Sequence, residues 1–118
     1  MTAAQKAQRR GRHAKVDLPE YGSRTDVGLV RDHNEDSLAV APPVYAVADG
    51  MGGMASGAFV SGWTVRRMLE AEIGRSGEAP EKQLCEAARR ISGEIADGGS
   101  RGGSTMAAVY LDSAGVHI

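Results

Sequence analysis

Short apolar stretches separated by polar residues mark the first half of the chain. We predict a strand near Thr25–Val30 and another near Ser37–Ala41, on either side of a polar turn over Arg31–Asp36. The next run, VYAVAD at residues 44–49, is rich in valine and stops at a glycine cluster. Such a run predicts a buried strand that carries Asp49 at its carboxyl end.

Helical periodicity follows the glycine cluster. Apolar or small residues recur at spacings of three and four, namely Ala58, Gly62, Val65, Leu69 and Ile73. This pattern predicts a helix with one buried face. A second helix should begin at Pro80, which suits a first helical turn, with an apolar face formed by Leu84, Ala88, Ile91 and Ile95. Cys85 borders that face, so we expect a small core residue.

The last part of the chain predicts two more strands. STMAAVYL and VHI are joined by a turn over residues 112–115. The predicted order is strand, strand, strand, helix, helix, strand, strand, which lacks the regular alternation of a parallel sheet. We therefore predict an α+β fold with antiparallel sheets.

Composition limits the class of protein. A chain of 118 residues, 42% hydrophobic and 25% charged, is typical of one globular domain. We predict a basic, disordered tail over residues 1–20 and a domain over residues 21–118.

Charge and cysteine content limit the partners and the compartment. The net charge of −1 gives no reason to expect nucleic acid or a membrane surface as a partner. The single cysteine excludes an intramolecular disulfide, and no apolar run approaches the roughly 20 residues of a membrane span. These features favour a cytoplasmic protein.

Candidate chemistry is concentrated in acidic residues near predicted strand ends. Glu35 and Asp36 are adjacent in a turn, and Asp49 ends a strand. Carboxylates bind hard divalent cations, and the planar guanidinium of Arg31 suits a phosphate. A metal ion beside an arginine is a combination that handles phosphoryl groups.

The glycine run leaves an alternative open. Residues 50–55 also fit G-x-G-x-x-A between a predicted strand and a helix, which is a dinucleotide-binding fingerprint. Against it, Asp49 would place a negative charge beside the pyrophosphate, and no strand ending in an acid follows about 20 residues later.

Three motifs in order resemble a known family. TDVGLVRDHNEDSL, VYAVADGMGG and GGSTMAAVYL are together similar to the N-terminal part of the metal-dependent serine/threonine protein phosphatases, the PPM or type 2C family, in its bacterial form. The resemblance runs from about Gly22 to the end of the chain. It implies an α-β-β-α sandwich, two antiparallel sheets flanked by helices, of which this chain would be the first half, incomplete at its C-terminus.

The resemblance also implies roles for single residues. Arg31 would bind the substrate phosphate, and Glu35 would ligate one of two Mg²⁺ or Mn²⁺ ions. Asp36 would hold metal-bound water, Asp49 would bridge the ions, and the carbonyl of Gly50 would ligate one of them. In the family, water activated by the metals attacks phosphoserine or phosphothreonine of a phosphoprotein substrate, opposite a serine/threonine kinase.

Two departures from the family pattern bear on activity. Met54 stands where the bacterial form usually has the histidine that protonates the leaving oxygen, and a thioether has no proton to donate. The later G-D-S-R, Asp-Gly and Asp-Asn motifs, which bring further aspartates to the metals, are absent from this sequence. We therefore expect a truncated domain with weak metal binding and little turnover alone. The alternative is a non-catalytic pseudophosphatase module that binds a phosphoprotein or a partner chain.

Overall fold

Helices and antiparallel strands make up the computed structural model, which describes residues 18–118. Most of the predicted basic tail lies outside the described residues. The elements are β1 (Asp36–Ala41), β2 (Val44–Met51), α1 (Met54–Glu70), α2 (Pro80–Asp97), β3 (Gly103–Ser104), β4 (Ala107–Asp112) and β5 (Gly115–His117). The α+β class predicted from the sequence is confirmed.

The strands form one antiparallel sheet in the order β1-β2-β4-β5, with the short β3 beside the end of β2. The strand β2 is therefore central. Because all its neighbours are antiparallel, it does not belong to the parallel strand-helix-strand unit that a dinucleotide fingerprint requires. The nucleotide-binding interpretation of the glycine run does not hold.

The core lies between one face of this sheet and both helices. Val44, Ala46 and Ala48 of β2 are buried and alternate with the more exposed Tyr45 and Val47, as the period of a half-covered strand requires. The two helices bury a matching set of side chains against them, namely Val65 and Met68 of α1 and Leu84, Ala87 and Ile91 of α2. Alanines in the strand allow the helices to approach closely.

The opposite face of the sheet remains open within residues 18–118. By strand register, Leu38 of β1 and Ala107 of β4 flank Val47 on this face. Val47 is 56% exposed. The ring of Tyr21 covers one corner, edge-on to Tyr45 at 5.6 Å. The second sheet implied by the resemblance is not among the described residues.

The predicted strand near Thr25–Val30 is wrong. Asp26 accepts a hydrogen bond of 2.8 Å from the backbone N–H of Gly28, whose φ is 80°, and residues 28–30 form a turn. This local bond between an aspartate side chain and the backbone competes with strand formation, and it leaves Leu29 and Val30 exposed.

The prediction that Cys85 is a core residue is wrong, because Cys85 is exposed. The buried stripe of α2 runs through Leu84, Ala87 and Ile91, which places Cys85 on the solvent side. Neither helix in the described part of the chain has an apolar stretch suited to crossing a membrane.

Candidate functional site

Two aspartates face each other at one end of the sheet. Asp36 at the start of β1 is the register partner of Asp49 near the end of β2. Side chains directly opposite in an antiparallel pair have Cβ atoms about 4.5–5.5 Å apart, and two like charges at that distance repel. A bound cation would relieve the repulsion, so the pair is suited to an oxygen-ligated metal ion.

Glu35 immediately precedes Asp36, and its carboxylate lies against Gly57 of α1. Its side chain is 14% exposed, and its Oε1 atom is buried without a hydrogen-bond partner among residues 18–118. The Nε2 atom of His33 lies 4.0 Å from this oxygen, which is beyond hydrogen-bond distance. A buried carboxylate oxygen without a partner is costly, so this atom fits a role in which it meets a cation.

Gly50 allows the site to form close to α1. A Cβ atom at this position would collide with the carbonyl oxygen of Gly57 and would lie 2.7 Å from that of Glu35. The backbone N–H of Gly50 donates to the same Glu35 carbonyl at 3.2 Å. The end of β2, the start of α1 and the residue before β1 therefore meet at a point that only glycine fits.

Thr105, to which the sequence analysis gave no role, holds the backbone of Asp49. The Asp49 N–H donates to the Thr105 hydroxyl at 3.1 Å, and the Asp49 carbonyl accepts from the Thr105 N–H at 2.9 Å. In the sequence, Thr105 is marked only by its place in the motif GGSTMAAVYL. The strand register that brings it to Asp49 is not visible there.

Arg31 lies in an exposed loop before β1. Asn34 closes this loop by donating to the Thr25 hydroxyl at 2.7 Å and accepting from the Asp36 N–H at 2.9 Å. The neighbouring cleft, with a volume of about 440 Å³, is lined by Asp36 and Asp49 but not by Arg31.

Arg24 lines that cleft instead, together with Thr25 and Thr105. Arg24 lies outside the three motifs, so no pattern in the sequence pointed to it. Its guanidinium pairs with Asp26 at 3.2 Å. The cleft therefore brings Asp36 and Asp49 together with Arg24, whereas Glu35, Gly50 and Arg31 lie outside its lining.

These residues fit part of a metal site. Asp36, Asp49, Glu35 and the Gly50 carbonyl are the atoms of this chain that would hold an ion. Within residues 18–118, however, no three of the His, Cys, Asp and Glu side chains are close enough together to hold a metal by themselves. Met54 is the first residue of α1, and its predicted role stays a prediction.

Comparison with known proteins finds bacterial phosphatases, although no family model matches the chain. The serine/threonine protein phosphatase PstP of Mycobacterium tuberculosis is 36% identical over 76 residues. That match covers 64% of this chain and 15% of the relative's length.

Solved structures agree with this relationship. The catalytic domain of PstP in complex with two manganese ions superposes with a TM-score of 0.67 and 30% identity, covering 76% of this chain and 42% of that one. The PPM Ser-Thr phosphatase MsPP of Mycobacterium smegmatis, in complex with cacodylate, superposes with a TM-score of 0.64 and 26% sequence identity. That match covers 79% of this chain and 41% of the MsPP chain. The fold, the motifs and these likenesses together show that the chain is homologous to the N-terminal part of a PPM-family serine/threonine phosphatase.

Proposed function

We propose that the chain is part of a metal-dependent phosphatase that hydrolyses phosphoserine and phosphothreonine in proteins, acting in the cytoplasm opposite a serine/threonine kinase. The observation that carries the proposal is the pairing of Asp36 with Asp49 across two strands. The buried, unpartnered carboxylate oxygen of Glu35, the residue before Asp36, adds to it. Relatives that are themselves serine/threonine phosphatases support it.

Some residues of this chain would bind the metal ion, and another would bind the substrate phosphate. Asp49, Asp36, Glu35 and the Gly50 carbonyl would hold Mg²⁺ or Mn²⁺, and such an ion supplies Lewis acidity toward a phosphate oxygen. Arg31 lies in the exposed loop before β1 and does not line the cleft. Its guanidinium would bind and neutralise the phosphate of the phosphoprotein. Each carboxylate belongs to, or adjoins, a strand of the sheet, which fixes its direction more firmly than a loop does.

The ligand set of this part of the chain is incomplete, which limits what it does alone. Two carboxylates facing each other and a third nearby leave most of the coordination sphere of a divalent ion to water. We therefore expect weak Mn²⁺ binding and hydrolysis close to background for the 118-residue chain.

Mn²⁺ titration followed by electron paramagnetic resonance tests the metal site. We expect the parent chain to bind Mn²⁺ and the Asp49→Asn and Asp36→Asn variants to bind it about tenfold or more weakly, since each removes one anionic ligand. Asp97→Asn, at the exposed end of α2, is the matched control and should bind like the parent. Equal affinities in all four proteins would refute the site.

Hydrolysis of a phosphothreonine peptide with Mn²⁺ then tests the chemistry. Turnover at ordinary enzyme rates that disappears in Asp49→Ala would contradict the incomplete ligand set. Peptide binding that needs no metal and weakens in Arg31→Ala would favour the non-catalytic binding module instead.

A further inference from the structure

In the backbone pairing between β2 and the β3–β4 segment, a side-chain oxygen replaces a backbone acceptor at Asp49. Val47 pairs with Ala107 and Gly50 pairs with Ser104, so Asp49 lies opposite Thr105 in the same register. Residues opposite each other in a hydrogen-bonded antiparallel pair normally exchange two N–H to carbonyl bonds.

Only one of those two bonds is made in the ordinary way. The Thr105 N–H donates to the Asp49 carbonyl at 2.9 Å. The Thr105 carbonyl, which should accept from Asp49, instead accepts from the Ser104 hydroxyl at 2.7 Å. The Asp49 N–H donates to the Thr105 hydroxyl at 3.1 Å, so a side chain replaces the missing backbone acceptor.

This replacement occurs in the backbone next to the proposed metal site. Asp49 supplies a carboxylate and Gly50 a carbonyl to the proposed metal site, and functional groups of this kind need to be held within about 0.5 Å. The branched Cβ of threonine restricts its χ1 angle, so the hydroxyl is held toward the strand.

We propose that Thr105 is a positioning residue, whose hydroxyl holds the main chain of Asp49 and Gly50 in the geometry that sets the Asp49 carboxylate opposite Asp36. Its meaning for metal binding rests on the proposed function. The hydrogen bond to the Asp49 N–H is testable without any metal.

Four variants separate this role from a general effect on folding. Thr105→Val keeps the shape and loses the acceptor, Thr105→Ala is a second variant without the hydroxyl, and Thr105→Ser retains it. Thr64→Val is the matched control, because within residues 18–118 the buried Thr64 hydroxyl bonds only to the Val60 carbonyl of α1, at 2.7 Å.

The first measurement is amide hydrogen exchange of Asp49 by NMR in the metal-free chain. We expect Thr105→Val and Thr105→Ala to speed this exchange by about tenfold, the effect of losing one hydrogen bond. Thr105→Ser should stay near the parent, and Thr64→Val should leave the Asp49 amide unchanged. Unchanged exchange in both variants that lack the hydroxyl would overturn the proposal.

The second measurement is Mn²⁺ affinity by electron paramagnetic resonance. We expect Thr105→Val to weaken binding by about tenfold and Thr105→Ser to restore it, because only the hydroxyl differs in function. Faster exchange with unchanged affinity would overturn the positioning role. If the parent binds no Mn²⁺, the proposed function fails, and the exchange experiment still decides whether Thr105 holds Asp49.

Discussion

At Gly50 a single added methyl group would disturb three segments at once. Its Cβ would meet the carbonyl oxygens of Gly57 and Glu35, which are backbone atoms that cannot rotate away. We expect Gly50→Ala to lower the free energy of unfolding by about 1–3 kcal/mol, the usual cost of overpacking.

Chemical denaturation of parent and variant measures this cost. Gly93→Ala is the matched control, since a Cβ at Gly93 meets nothing within 4 Å and the position lies inside α2. Replacing a helical glycine by alanine should stabilise by about 0.5–1 kcal/mol. A Gly50→Ala variant as stable as the parent would show that β2 and α1 can move apart.

The residues of the site were predictable to different extents. Asp36 and Asp49 belong to motifs with a recognisable order, and the strand register places them opposite each other. The metal-binding roles expected for these two residues, Glu35 and Gly50 stay predictions. Thr105 was missed because its contact depends on strand register, which no local pattern reveals. Arg24 was missed because its place in the cleft depends on the path of an irregular segment.

Helices and strands were predicted where the pattern of the local sequence determines them. Both helices and the strands at residues 36–51 and 107–117 have clear periodicity, and the structure contains them. The predicted strand near Thr25–Val30 failed because Asp26 stabilises a turn, and a side chain bonded to its own backbone outweighs β-propensity there.

At the scale of elements, His117 links the β4–β5 hairpin to helix α2. Its Nδ1 contacts Glu81 of α2 at 2.5 Å and its Nε2 contacts Asp112 of β4 at 2.8 Å, while the ring lies against Tyr110. The hydrogen bond to Glu81, and then that to Asp112, raises the pKa of His117 above its ordinary value of 6.5. The same bonds lower the pKa of Glu81 and of Asp112.

The contribution of this link to stability should therefore be greatest in mildly acidic solution. The contribution of His117 is fully present below its unfolded pKa of 6.5 and is lost as the pH rises through the raised folded pKa. The contributions of Glu81 and Asp112 are present above their ordinary values of 4.5 and 3.8 and are lost as the pH falls through the lowered ones. The link is strongest where all three groups are charged.

Urea unfolding of parent and His117→Gln across the pH range measures this dependence. We expect the difference in midpoint to be largest between about pH 5 and 6.5 and to shrink toward about pH 9. Glu81→Gln removes one of the two carboxylates and should reduce the pH dependence without abolishing it. A difference that is constant with pH would show that the link contributes packing and no charge.

At the scale of the whole molecule, one face of the sheet is packed and the other is open within residues 18–118. Val47 lies in the middle of the open face, flanked by Leu38 and Ala107 through the strand register. The α+β class was predicted from the order of the elements. What covers the open face was not, because long-range packing between sheets leaves no local mark in the sequence.

An open apolar sheet face should bind hydrophobic dyes. We expect Val47→Thr to lower the fluorescence of bound anilinonaphthalene sulfonate about twofold, since it places a hydroxyl at the centre of the apolar patch. Threonine keeps the branched Cβ that suits a strand, so the sheet should remain intact.

Leu29→Thr is the matched control for this dye experiment. Leu29 is also exposed, but it lies in the turn after Asp26 and away from the sheet register. Leu29→Thr leaves the apolar face of the sheet unchanged, so the control should bind about as much dye as the parent. Equal fluorescence in both variants and the parent would show that the open face of the sheet is not the surface that binds the dye.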